Sequence, residues 1–215
     1  GFIYWDDAFT GKRPGVLVAH EWWGLNDYAK LRAEMLAETG YVAFAADMYG
    51  AGKITRHADE AKGWMQQISS NAEAWQRRAN LALEQLKAHP QVDAGRLAAI
   101  GYCFGGATVM QMAYTGADLA GVVSFHGALP PATPEQAAKV KARVLVAHGD
   151  ADALEQHVVV AEALRQVGPG DDHRRRAVYD AAGVPGCDRT VLAEGGPQSR
   201  QGLQAGVRLD VVVGV

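Results

Sequence analysis

Short, uniformly apolar runs alternate with longer stretches of helical periodicity over the first two thirds of the chain. The runs are residues 15–20 (GVLVAH), 41–46 (YVAFAA), 96–101 (RLAAIG), 120–125 (AGVVSF) and 143–148 (RVLVAH). Near-continuous apolar character marks strands buried on both faces, as in a parallel sheet whose crossover helices lie above and below it. Between the first two runs, Asn26 can cap a helix with Tyr28, Leu31, Met35 and Leu36 on one stripe and Gly40 as its stop. Residues 58–88 read as two helices broken near Ser70, where Ser70 and Glu73 have the S-x-x-E spacing of a capping box. Residues 2–9 are aromatic and fit an edge strand, 107–114 are helical, and 130–141 form a Pro-rich connection with room for a helical turn or two. The pattern predicts an α/β fold, a mostly parallel sheet with helices on both faces, as one domain over residues 1–215.

The last part departs from this pattern. Residues 168–215 hold 9 of the 25 glycines and one aromatic, Tyr179, which is poor material for a packed helix. A sixth strand fits residues 175–179, and the rest of the tail is expected to be atypical and loosely ordered.

At 215 residues the chain is long enough to bury a substantial core. With 48% hydrophobic and 21% charged residues it is no disordered polar chain, and no apolar run is long enough to span a membrane. A formal charge of -3 gives no field to attract nucleic acid, and the one basic cluster, Arg174 to Arg176, is too short to do so locally. Cys103 and Cys187 make neither a disulfide framework nor a CxxC metal pair, so they read as unbridged thiols of a reducing compartment, the cytoplasm. No secretory or transit pattern is visible.

The candidate chemistry sits where strands end. Gly101-Tyr102-Cys103-Phe104-Gly105-Gly106 closes one apolar run and opens a helix, the setting of a nucleophile elbow with Cys in place of Ser. Its glycines allow a strained turn and a close approach of strand to helix, and the helix N-terminus favours a thiolate. The backbone N–H of Phe104 is one candidate oxyanion donor. His20-Glu21-Trp22-Trp23-Gly24 follows the first parallel strand; it begins like H-E-x-x-H, but Gly24 stands where the second histidine would be, so the zinc reading fails. The backbone N–H of Trp22 is the second candidate donor, and Glu21 is placed to meet the thiol. After the run 143–148, Asp152 is the candidate triad acid with Asp150 as its rival. Trp23 and His126 are candidates for the pocket lining, Asp47 reads as a structural loop acid, and His57 and His89 read as surface histidines. No group of residues has metal-ligand spacing, and no cofactor is expected.

The segments HEWWGLND, YVAFAADMYG, VDAGRLAAIGYCFGG, GVVSFHG and RVLVAHGDAD together resemble the dienelactone hydrolase (carboxymethylenebutenolidase) family of the α/β-hydrolase superfamily, over residues 11–167. The resemblance implies a Cys103 nucleophile, Asp152 as triad acid, oxyanion donors from Trp22 and Phe104, and Glu21 in contact with the resting thiol. It implies hydrolysis of a small carboxylic ester or lactone through a thioester, with no nucleic-acid or membrane partner. In the family a Y-x-x-A-x-H-x-F segment carries the general base; here the stretch beginning at Tyr179 has Val184 at the histidine position. A shifted reading frame after Val167 or a divergent tail accounts for that, and His157 and His173 are the histidines left to substitute. The competing readings are a small-molecule-binding pseudoenzyme that lacks the base and, more remotely, a metal-dependent hydrolase.

Overall fold

A computed structural model describes residues 1–148 and 208–213. Its strands are β1 (Phe2–Tyr4), β2 (Arg13–Ala19), β3 (Val42–Ala46), β4 (Val92–Tyr102), β5 (Gly121–Phe125), β6 (Arg143–His148) and β7 (Arg208–Val213). Its helices are α1 (Asp27–Glu38), α2 (Ala58–Ser69), α3 (Ala72–Lys87), α4 (Phe104–Tyr114) and α5 (Pro134–Ala137). The strands form one sheet in the order β1-β3-β2-β4-β5-β6-β7. The five apolar runs pair in parallel as β3-β2-β4-β5-β6, while β1 and β7 add antiparallel edges. This is the α/β arrangement that the alternating pattern predicts. None of the described helices is long and apolar enough to cross a membrane.

Alternate residues of the strands feed two separate cores. Leu17, Ala19, Val42, Ala46, Leu97 and Ala99 face α3 and α4, whereas Val18, Ala43 and Ala45 face α1. Helices therefore cover both faces. Every residue of α4 is buried, as befits a helix packed at the centre of the sheet between α3 and the strands.

Several local expectations are corrected. In α1 the buried residues are Ala29, Ala33 and Ala37, while Tyr28, Leu31 and Met35 are exposed. An alanine row at i, i+4, i+8 lets the helix lie close on Ala43 and Ala45, and larger side chains would hold it off. The break between α2 and α3 is real, but Asn71 rather than Ser70 caps the second helix, its side chain accepting from the Ala74 N–H at 3.0 Å. The capping box lies instead at Thr133 and Gln136, in the Pro-rich connection. β4 begins before residue 96: its register with β2 jumps from Pro14↔Asp93 to Gly15↔Leu97, and the polar residues in that irregularity hide the strand from an apolar count. His89 is half-buried against Trp5 (ring centroids 4.8 Å apart) rather than lying on the open surface. Within the tail, Arg208–Val213 forms an edge strand that the sequence reading did not place, antiparallel to β6 in the register Val144↔Val212. Residues 149–207, with the expected strand 175–179, lie outside the described residues.

The junction of α4 with the sheet is glycine-compressed. A Cβ on Gly101 would lie 2.0 Å from the Gly105 carbonyl oxygen, and one on Gly105 would lie 2.2 Å from that of Ala19. Both neighbours are backbone, so neither can swing aside. We predict that Gly105→Ala lowers stability by about 3 kcal/mol or prevents folding. Gly63→Ala, in exposed helix with nothing within 4 Å of the added carbon, should instead raise it by about 0.5–1 kcal/mol. Urea unfolding of the two variants checks the contrast, and equal effects would contradict it.

His20 joins the ends of β2 and β3 while fully buried. Its Nε2 accepts from the Met48 N–H at 3.1 Å, and its Nδ1–H donates to the Glu21 carbonyl. An amide N–H can only donate and a carbonyl only accept, so the ring is the neutral Nδ1–H tautomer. Burial lowers its pKa from 6.5, outweighing the Glu21 bond and the Asp47 charge. The unfolded chain therefore binds a proton that the folded chain refuses. The resulting stability is complete above about pH 6.5 and is lost as pH falls from there toward the lowered folded value. Melting curves should show wild type losing stability below that pH more steeply than His20→Gln; parallel curves would refute it.

Candidate active site

Strand register brings the candidate residues to one edge. Ala19 lies opposite both Ala46 and Gly101, Tyr102 opposite Phe125, and Phe125 opposite Ala147. The loops after these strands therefore emerge at one level, the carboxyl edge where sites of open α/β sheets form.

Cys103 occupies the turn between β4 and α4 as the helix N-cap, with φ 54° and ψ -114°. A side chain in that conformation is strained by about 1–3 kcal/mol, which the surroundings must enforce. They do so by hydrogen bonds and by contact. The Cys103 N–H donates to the Phe125 carbonyl at 2.9 Å, and its carbonyl accepts from Ala107 N–H at 3.2 Å. Gly106 backs directly onto Ser124 and Gly127, where a Cβ would lie 2.6 Å from Ser124 Oγ. The thiol is half-buried at the start of α4, whose first-turn N–H groups lack partners within the helix. Phe104, one residue on, is buried between Trp75 (stacked, 5.3 Å) and Tyr49 (stacked, 5.5 Å). Trp75 Nε1–H donates to Thr108 Oγ1, and the Thr108 hydroxyl donates to the Phe104 carbonyl.

The loop after β2 is tied down at successive carbonyls. Glu21 accepts from His20 and from Gly24 N–H, Trp22 accepts from the Tyr49 hydroxyl at 3.0 Å, Trp23 from Thr55 N–H at 3.0 Å, and Gly24 from Asn26 N–H at 2.8 Å. Gly24, at φ 92°, bridges to Ile54 so closely that a Cβ would meet the Lys53 carbonyl oxygen at 2.0 Å. The opposing loop after β3 is itself organised by Asp47, whose carboxylate accepts from the N–H groups of Tyr49, Gly50 and Gly52. Burial alone would raise the Asp47 pKa, but those bonds hold it below the usual value. Asp47 is thus a structural acid, as its strand-end position suggests.

Of the residues singled out in the sequence, Glu21, Trp22, Trp23, Cys103, Phe104 and His126 all follow strands at this edge. Glu21 is half-buried and close enough to Tyr102 for its charge to help raise that phenol's pKa, after burial and against the Arg32 charge. Trp22 packs against the core and meets Trp23 edge-on at 5.0 Å. His126 is exposed, with φ 53°, and its N–H donates to the Ala147 carbonyl at 2.7 Å. Asp150, Asp152, His157, His173 and Val184 lie outside the described residues. Tyr49 and His20 received no role from the sequence. Burial and then the neighbouring Cys103 charge push the Tyr49 phenol far above its ordinary value of 10.0. Their contacts span 27 and 28 residues of chain, a separation no local pattern registers.

Known proteins share this framework. The sequence profile of the Dienelactone hydrolase family matches residues 1–167. A solved structure named m3DLH has a TM-score of 0.73 and 43% identity, covering 76% of this chain and 68% of its own. The crystal structure of a dienelactone hydrolase-like promiscuous phosphotriesterase from metagenomic libraries has a TM-score of 0.73 and 42% identity, over 76% of this chain and 70% of that one. Among curated proteins, usf of Aquifex pyrophilus is 29% identical over 159 residues, 72% of this chain and 68% of that protein. A proposed carboxymethylenebutenolidase of Methylorubrum extorquens is 31% identical over 192 residues, 82% of this chain and 64% of that protein. The matched profile runs through both loops of the site and all five parallel strands beneath them, and the chain belongs to the dienelactone hydrolase family.

Proposed function

We propose that the protein hydrolyses small carboxylic esters or lactones through a thioester on Cys103. The observation that carries this reading is the strained, half-buried Cys103 at the N-terminus of α4, held there by backbone-to-backbone contacts of three glycines. A structural cysteine has no need of such a conformation, whereas a nucleophile must stand clear of both strand and helix. In the proposed reaction the thiolate adds to the acyl carbon and the carbonyl electron pair moves to oxygen. The N–H groups of Trp22 and Phe104 receive the oxyanion. Collapse expels the alcohol oxygen, which takes a proton, and leaves the acyl group on sulfur; water then releases the acid. Asp152 is the proposed triad acid, Glu21 regulates the thiol, and Trp23 and His126 line the pocket. Two cysteines with neither disulfide-framework nor metal-pair spacing suit a reducing compartment such as the cytoplasm.

The base is where this chain differs, since Val184 stands at the family's histidine position. An oxyanion hole and nucleophile without a complete triad retain roughly 10³–10⁴-fold catalysis over water. A fast acylation followed by slow turnover is therefore expected. Stopped-flow mixing with an activated aryl acetate should give a burst stoichiometric with enzyme, and mass spectrometry should place the acetyl group on Cys103. Cys103→Ala should remove the burst and return the rate to background. No burst and no acetylated Cys103 in wild type would leave a binding protein. Because a relative is described as a promiscuous phosphotriesterase, an activated phosphotriester is the second probe to use.

Glu21 supplies an independent test. A carboxylate beside the thiol disfavours the thiolate and keeps the resting sulfur partly protonated. Glu21→Gln should speed alkylation of Cys103 by iodoacetamide at neutral pH by about three- to tenfold. An unchanged or slower rate would remove Glu21 from the site.

A further inference from the structure

The carbonyls on either side of the Trp22 α-carbon are each held by a side chain from the protein interior. His20 donates from Nδ1 to the Glu21 carbonyl, and the Tyr49 hydroxyl donates to the Trp22 carbonyl at 3.0 Å. The described residues contain no cis peptide bond, and in a trans peptide the C=O and N–H point in opposite directions. The Glu21 carbonyl and the Trp22 N–H belong to one peptide plane. With its carbonyl turned toward a fully buried imidazole, that plane must aim its N–H away from the core. Tyr49 fixes the next plane, so the two backbone rotations at Trp22 are both set.

We infer that His20 and Tyr49 are positioning residues that aim the Trp22 N–H at the oxyanion, an inference that rests on the acyl-transfer reading of Trp22 and Cys103. Both are anchored well enough for the task. His20 is fixed at its far nitrogen by the Met48 N–H, and its ring meets Tyr49 edge-on at 4.9 Å. Tyr49 is buried, stacks on Phe104 at 5.5 Å and meets Trp64 edge-on at 5.6 Å, while Asp47 holds its backbone N–H. The stacking on Phe104 ties the two proposed donors together, since one aromatic cluster carries the loop that aims Trp22 and the residue that supplies the other N–H. A residue in this position acts through the Trp22 N–H. Its removal leaves the thiol intact and loosens only the geometry of the developing charge.

That distinction sets the test. A phenylalkyl trifluoromethyl ketone takes up the thiolate at its carbonyl carbon, and the π pair becomes an alkoxide that needs the oxyanion hole. Reversal returns thiolate and ketone, so the adduct forms without a general base. Iodoacetamide alkylates the same sulfur by displacing iodide and creates no oxyanion. Loss of an oxyanion donor costs about 10²–10³-fold, and mis-aiming one should cost less. Tyr49→Phe keeps the ring and its stacking, so its inhibition constant for the ketone should weaken by about 5- to 30-fold while the alkylation rate stays within about twofold of wild type. His20→Gln retains one donor and one acceptor and should bind the ketone within about threefold of wild type; His20→Leu retains neither and should lose at least about tenfold. Ketone affinity unchanged in Tyr49→Phe would overturn the inference, as would a matching fall in alkylation. A wild type that is alkylated yet binds no ketone would overturn the acyl-transfer reading itself, and this inference with it.

Discussion

The rest of the site depends on one close approach, that of the first turn of α4 to the backbone at the end of β2. Gly105 lies so near the Ala19 and His20 carbonyls that hydrogen is the only side chain that fits. This contact decides how far Cys103 stands above the sheet and how near the loop of Trp22 comes to the N–H of Phe104. It is a steric constraint rather than an attraction. Its rigidity follows from having backbone on both sides, because backbone cannot change rotamer to relieve a clash.

Strain at Cys103 has to be offset by stability elsewhere, and the aromatic cluster beneath it is the evident source. Phe104 lies between Trp75 and Tyr49, and Thr108 links Trp75 to the Phe104 carbonyl. Each aromatic pair contributes about 0.5–1.5 kcal/mol beyond its buried area, comparable to the cost of one strained residue. The same cluster reaches the loops after β2 and β3 through Tyr49. The turn at Cys103 and the loop after β2 are thereby mounted on a common support rather than on independent loops.

The polar groups that join the loops after β2 and β3 are paired within the chain. His20 is neutral and uses both ring nitrogens, Asp47 gathers three backbone N–H groups, and the carbonyls of the loop after β2 are occupied in sequence. Buried polar networks of this kind fix one geometry when complete, because leaving any member unpaired costs more than the bond itself contributes. A loop held in this way can keep an N–H aimed at a charge that would exist only during the proposed reaction.

The sequence by itself determined the alternation of apolar strands with helices that makes the sheet mostly parallel, the strand-to-helix turn at Cys103 and the family, because each rests on residues adjacent in the chain. Buried strands must be apolar throughout, and a sharp turn must use glycine. The edges of these elements were less legible: polar residues in the irregular start of β4 masked its length, and Ser70 offered a cap that Asn71 provides. Tertiary structure alone decided which face of α1 turns inward. Hydrophobic periodicity favours large residues, but the separation of helix and sheet admits the alanine row and leaves Leu31 and Met35 outside. It alone also decided the roles of His20 and Tyr49. A histidine becomes neutral, doubly bonded and directional only when folding removes its water and brings Met48 to its far nitrogen, and no spacing of residues along the chain encodes that proximity.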